Sequence, residues 1–369
     1  MLRRYRAAGA DLPFGNPLAA HGVAMEGYFW RLTDRRSGRV LVALCGVHRH
    51  ADGTRWSNVA LAAHPGDVIH AADLPHGVAD PRALGVRAGD GAFVADARRV
   101  RLDLGPQARL DVELHDVRGW TRRAFGGLGV AHVIPGLSQH WHPYVLGARA
   151  RGVACIDGET IDLAGYDVYA EKNWGVGGFP DRWWWGQALS FPDADACVAF
   201  AGGNVGLGPL RTTATALVVR IENTLIRLGD PVLSPTRTDL HDGRWKLRAR
   251  GPRWEVTIDA QADPAGAHLL PVPIPQERRS ELGAVQHFTG ELRVEVRRRG
   301  RPVFAGTSTL AGLEHGGPAA LTRALADRAA PHAPYAPHTP HTDGACAPGA
   351  DISDTSGTAP RDRPCPAAR

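Results

Sequence analysis

The sequence predicts an all-β protein: two antiparallel β-barrels in tandem, followed by a disordered C-terminal tail. Three observations carry this expectation. Residues alternate between apolar and polar with period two over most of the chain, as half-buried antiparallel strands require. Tight-turn dipeptides punctuate the alternating runs. Helical patterning is almost absent before residue 318, apart from a short turn near Pro275–Leu282. Strands are read at 40–44, at Val100-Arg101-Leu102-Asp103-Leu104, at 109–114, at Trp245-Lys246-Leu247-Arg248-Ala249-Arg250 and at 254–259. Turns fall at Asp52-Gly53, Asp157-Gly158, Asp242-Gly243 and Arg299-Gly300. Gly202-Gly203 and Gly206-Leu207-Gly208 are expected to mark bulges or bends in a closing barrel.

The 369 residues suffice for two domains with their own cores. A closed sheet of about eight strands uses roughly 150 residues. The division expected is therefore a first barrel over 12–160, a second over 161–317 and a tail over 318–369. Beyond Pro318 the Pro, Ala, His, Ser and Thr content cannot bury a core.

The net charge is +5, but the arginines are scattered singly along the strands and the densest run, 297–301, falls on a hairpin turn. That distribution argues against nucleic acid and leaves a peripheral contact with an anionic membrane surface as the charged partner to consider. The five cysteines (45, 155, 197, 346 and 365) lack metal-ligand spacing; reduced core thiols in a cytoplasmic protein are expected. Leu2-Arg3-Arg4-Tyr5-Arg6 is not followed by the apolar run of a secretory signal. No segment reaches 18 continuous apolar residues, so no transmembrane segment is expected.

The densest chemistry lies between Tyr169 and Gln187. Tyr169-Ala170-Glu171-Lys172-Asn173-Trp174-Gly175, then Gly177-Gly178-Phe179-Pro180 and Arg182-Trp183-Trp184-Trp185-Gly186-Gln187, hold four of the ten tryptophans. Clustered Trp side chains line a site or a core. Of the 43 basic residues only Lys172 and Lys246 are lysines, so a compact ammonium is retained where Arg is the rule. The glycines of 175–178 lack the Lys-Ser or Lys-Thr and the helix of a phosphate loop. On a strand, Glu171 and Lys172 point to opposite faces.

This stretch resembles the central motif of the tocopherol cyclases. Glu26-Gly27-Tyr28-Phe29-Trp30-Arg31 is similar to the family's early Glu-Gly-Trp-Tyr-Phe-Lys strand, and Gln139-His140-Trp141-His142 to its Pro-His-Trp-Gln segment. Gly202-Gly203 and Ala311-Gly312-Leu313-Glu314-His315-Gly316-Gly317 also have counterparts. The resemblance implies a tandem of lipocalin-like barrels and a small apolar prenylated aromatic substrate. It also implies an intramolecular cyclase of the isomerase class that needs no redox cofactor, metal or nucleotide. Protonation of a prenyl double bond lets the phenol oxygen close a chromanol ring, as in vitamin E biosynthesis.

That chemistry needs an acid kept neutral by apolar surroundings and aromatic faces to steady a cation. Glu171 is the first candidate for the acid and Glu26, beside the Tyr28-Phe29-Trp30 ladder, the second; Asp167 and Glu314 are weaker. His140 shares a strand face with His142 and is a candidate to orient the phenol or accept its proton. Substrate contacts are expected from Tyr169, Lys172, Asn173, Trp174, Trp141, Trp183, Trp185, Gln187 and Trp30. Two alternatives stay open: a related enzyme acting on another polyene, such as a carotenoid hydratase or pericyclic cyclase, and a non-catalytic protein that binds an apolar ligand.

Overall fold

The computed structural model describes residues 2–329, with 123 and 242 excepted. The expected all-β architecture holds: two antiparallel sheets follow one another in the chain. In the first, the meander Met25–Thr33, Val40–Arg49, Arg55–His64 and Val68–Pro75 forms one half, and short strands between Gly77 and His115 form the other. The outlying strands Gly77–Ala79 and Gly85–Ala88 return against Val40–Arg49 and Arg55–His64, so the sheet rolls around its own core. Trp30, Leu41, Leu61, Phe93, Leu110 and Val168 fill that core.

In the second sheet the strands run from Thr224–Leu228 through Leu210–Ile221, Ala196–Leu207 and Trp183–Ala188 to the long hairpin Arg279–Arg298/Arg301–Gly316. Trp254–Gln261, Arg244–Arg250 and Thr236–His241 complete it, the last lying back against Leu210–Ile221. Its core holds Trp184, Phe200, Leu217, Trp245, Ile258 and Val294. A third apolar cluster, with Phe29, Trp141, Tyr169, Trp183, Trp185 and Phe288, lies between the sheets. The turn expected at Arg299-Gly300 is the tip of the long hairpin; both residues have positive φ.

Two boundaries differ from expectation. The strand Asp167–Gly175, which carries the Glu-Lys-Asn-Trp-Gly motif, was expected to open the second barrel. It belongs instead to the first sheet, paired with Met25–Thr33 on one side and with His140–Val145 on the other. The chain therefore changes sheets between 176 and 182, not at 160/161. Strand counting could not detect this, because the last strand of the first sheet inserts beside its first strand.

The expected tail begins with order. Pro318–Ala329 is an α-helix, with Pro at its start where a missing N–H costs nothing. Ala320, Leu321 and Ala324 form one face of it, packed on Ala267, Leu269 and Val285. Residues 330–369, including the tail histidines and Cys346 and Cys365, lie outside the described residues. Cys45 and Cys197 are free and buried, as expected of core thiols, whereas Cys155, also expected reduced, is disulfide-bonded.

The N-terminal segment before the first strand is an arm laid over the first sheet, a short helix over Leu2–Arg6 followed by irregular chain. Arg6 donates to the carbonyls of Asn16 (2.6 Å), Ala19 (2.8 Å) and Ala20 (3.0 Å), which folds the arm on itself. The motif strand then holds it down. Trp174 Nε1 donates to the Gly9 carbonyl at 2.8 Å, and the Trp174 ring stacks on His21. Lys172, fully buried, ion-pairs with Glu26 at 2.7 Å and donates to the Ala19 carbonyl at 3.0 Å. It also donates to His21 Nδ1 at 3.2 Å, while His21 Nε2 bonds Asp11 at 2.9 Å.

Breaking a buried pair by removing one partner leaves an uncompensated charge and costs about 3–5 kcal/mol. Lys172→Met is therefore expected to lower unfolding free energy by that amount in chemical denaturation and to expose the arm to limited proteolysis. Adding Glu26→Gln should recover part of the loss, because no lone charge then remains.

Candidate active site

The alternation of the motif strand sorts its residues between two environments. Tyr169, Glu171 and Asn173 face the second sheet; Lys172 and Trp174 face the arm. The neighbouring strands obey the same rule. Asn173 pairs with Gly27, and a Cβ at Gly27 would lie 2.5 Å from the Asn173 amide oxygen, so glycine makes room for that side chain. Trp141 pairs with Asn173 and shares its face, whereas His140 pairs with Trp174 and stacks on it at 5.2 Å.

Between the two sheets lies a cavity of about 560 Å³. Its walls are apolar and aromatic: Phe29, Leu44 and Trp141 from the first sheet, and Trp183, Trp185, Ala201, Ala216 and Leu270 from the second. Phe29 meets Trp185 edge to face at 5.2 Å, and Phe179 covers Trp183 at 4.9 Å. The space for a ligand is thus between the rolled sheets, while both sheet interiors are packed with side chains.

Two carboxyls open onto this cavity. Glu171, 5% exposed, accepts from the Tyr169 hydroxyl (2.5 Å) and from Trp185 Nε1 (2.8 Å), both at Oε2. Burial raises its pKa, and the hydrogen bonds from Tyr169 and Trp185 oppose that rise only in part. The Trp141 indole on the same wall is a third neutral donor that works against the rise. Glu314 accepts from Trp183 Nε1 at 2.5 Å through Oε1 and keeps part of its surface open to the cavity. Burial pushes its pKa up to about 7, and the nearby Glu171 adds to the rise.

Glycine makes the indole grips feasible. Gly312 and Gly316 stand two residues either side of Glu314 on the same strand face. A Cβ at Gly312 would lie 3.0 Å from the Trp185 ring, and one at Gly316 would lie 1.8 Å from the Trp183 ring. Gly203 supports Trp183 from the opposite strand, and Gly202 makes room for Trp184. Gly202 and Gly203 therefore seat tryptophans, where bulges were expected: the pairing of 196–207 with 210–221 runs without a register shift.

Of the residues expected in the site, Glu171, Tyr169, Asn173, Trp141, Trp183 and Trp185 come together here. Gln187 lies outside the cavity, accepting from the buried Arg31 at 3.2 Å. Trp30 lies in the first core against Phe93. Lys172 and Trp174 hold the arm. Glu26 is on their side of the sheet, also accepting from the His21 and Gly22 amides at 2.9 and 2.8 Å; its ion pair with Lys172 holds the carboxyl well below the ordinary carboxylate range. An acid so held stays ionised and is a poor proton donor.

His140 lines the cavity as well, but its ring stacks on Trp174 and lies against Gly9 of the arm, and burial lowers its pKa to about 3. Asp167 is ion-paired with Arg35 and, at 2.6 Å, with Arg149. Sequence reasoning ranked Glu314 low and did not select Phe29. The glycines spaced two either side of Glu314 were the signal available.

Gly316→Ala drives a methyl group into the Trp183 ring. It is expected to cost about 1–3 kcal/mol in thermal unfolding, the range for overpacking. A red-shifted tryptophan emission should accompany the loss as the indole leaves its seat.

The sequence profile of the family described as tocopherol cyclase-like matches residues 92–317, well over half of the chain. The chain is 28% identical over 228 residues to a protein of Oryza sativa subsp. japonica named probable tocopherol cyclase, chloroplastic, covering 57% of this chain and 47% of that one. It is 27% identical over 228 residues to the tocopherol cyclase, chloroplastic, of Zea mays, covering 57% and 46%. The chain thus matches about half the length of these curated relatives. Among solved structures, an AttH protein of Nitrosomonas europaea aligns over 84% of this chain and 98% of its own, at 14% identity and a TM-score of 0.45. The profile match spans the motif strand, the tryptophan strand and the Glu314 strand, the three that bring both carboxyls to the cavity, and on it the chain belongs to the tocopherol cyclase-like family.

Proposed function

We propose that this protein is an intramolecular cyclase that protonates a prenyl double bond of a prenylated quinol, so that the phenol oxygen closes a chromanol ring. The observation that carries the reading is Glu171: a carboxyl with raised pKa, held at Oε2 by Tyr169 and Trp185, in an aromatic cavity. A neutral acid of this kind is what alkene protonation needs. The Trp141, Trp183 and Trp185 faces can steady the tertiary cation without capturing it as a nucleophile would. The cavity falls within the usual size range for a small-molecule site.

The rim of the cavity supports a route for such a substrate. Leu207 and Leu210, at the tip of a hairpin beside Arg211, line the opening and are exposed. We propose that this edge touches a membrane surface and takes up the apolar quinol there, with the protein otherwise on the cytoplasmic side. Among the described residues no helix is long and apolar enough to cross a membrane.

Glu171→Gln keeps the size of the side chain and an acceptor for Tyr169 and Trp185. It should leave the fold and ligand binding intact while lowering kcat about 10²-fold or more, the scale of a lost general acid. In deuterated water the wild type should place one deuterium on the carbon next to the new ether carbon. Wild-type turnover by the Glu171→Gln protein would sink the assignment. Binding of the quinol with no product from either protein would favour the apolar-ligand carrier instead.

A further inference from the structure

Ring closure releases the phenol proton, and a group in the same cavity must receive it. We infer that Glu314, as a carboxylate on the wall opposite Glu171, is a second catalytic residue and accepts the phenol proton as the ring closes. The inference rests on the Glu171 reading above and extends it.

The geometry places the two carboxyls on different walls of one space. Glu171 is on the motif strand of the first sheet and Glu314 on the last strand of the second. Trp185 stands between them: its backbone pairs with Glu314, and its indole N–H reaches Glu171. Each carboxyl has an oxygen held by an indole N–H of the second sheet, Trp183 for Glu314 and Trp185 for Glu171. A substrate lying between the walls would meet an acid on one side and a base on the other.

Two carboxylates near one another in a dry, apolar space resist ionising together, so the pair tends to hold one proton. The groups around Glu314 add little competing charge. Gln286, its partner on the adjacent strand, does not titrate, and Trp183 is neutral. Arg31 approaches Gly312, but its guanidinium is committed to Thr33, Gln187 and the carbonyls of Phe288 and Leu310. Arg211 stands at the rim, and His315 turns to the other face, stacked on Trp245.

The step balances without oxidant or reductant. The Glu171 O–H bond breaks as a C–H bond forms at the alkene carbon nearer the ring. The phenol oxygen gives an electron pair to the tertiary carbon, and the C–O bond forms. The phenol O–H bond breaks, and its proton passes to Glu314. Transfer of one proton from Glu314 to Glu171, directly or through water, restores the starting state.

The test uses a prenylated quinol and its phenol methyl ether, which has no phenol proton to give. Wild-type kcat on the quinol should rise with pH through about 7 as Glu314 ionises. Glu314→Gln should lower kcat about 10²-fold with KM little changed and abolish the rise through neutral pH. It should still bind the methyl ether and exchange deuterium into its alkene as the wild type does. Glu171→Gln should lose both reactions. Glu314→Asp, which keeps an ionisable group, should retain a pH-dependent rise.

A wild-type kcat–pH profile in Glu314→Gln would overturn the inference and leave Glu171 to recover the proton itself. Loss of methyl ether binding or exchange in Glu314→Gln would overturn it too, by making Glu314 a structural residue. Normal exchange in Glu171→Gln would overturn the acid assignment, and the Glu314 pH profile would still report separately on the base.

Discussion

Everything in this protein is arranged around an ammonium that has no water. A buried Lys must find acceptors for its charge or surrender its proton. Lys172 finds them in Glu26, His21 and the carbonyls of Ala19 and Pro17. One partner lies on the first strand and the others on the arm, so a single side chain fixes the arm to the sheet. It also fixes register, with Tyr28 opposite Lys172. A slip of one residue would turn the ammonium into the apolar cavity and the Glu171 carboxyl into a nest of acceptors. The larger planar fork of Arg would need a different set of partners in the same space, which accounts for a lysine in so arginine-rich a chain.

The opposite face of the same strand inverts that logic. Glu26 is kept charged by a cation and two amides; Glu171 is surrounded by aromatic rings and neutral donors. Two glutamates on paired strands are thus shifted in opposite directions for reasons visible in their neighbours. Indole N–H groups suit the cavity because they satisfy a carboxyl oxygen without bringing a charge that would force ionisation. Glycines at 312 and 316 are the counterpart of that choice, since two large ring systems must pass close to a strand backbone.

Alternation made much of this legible. It gave the strands, and it separated Glu171 from Lys172 before any pairing was known. What alternation lacks is phase: it says that neighbours part, without saying which neighbour meets the ligand. Hence the Phe29 side chain joins the inter-sheet cluster while those of Tyr28 and Trp30 of the same ladder enter a core, and Trp141 joins that cluster while the His140 ring stacks on Trp174. Glu314 was hidden for another reason, since its partner Trp183 is 131 residues away. The arm has no period to read, and the helix Pro318–Ala329 presents mostly alanine to the sheet, too faint a stripe to stand out from a Pro- and Ala-rich tail.

Because the cavity belongs to neither core, the folding problem and the recognition problem fall on different residues. Trp30 or Trp245 cannot change without disturbing a packed interior, but Ala201, Ala216 and Ala284 are small side chains on an inter-sheet wall. Enlarging or trimming such positions reshapes the chamber while each sheet keeps its own supporting layer. A scaffold of this kind can reshape its chamber over evolutionary time by drift along one shared wall, with Glu171 and Glu314 left in place.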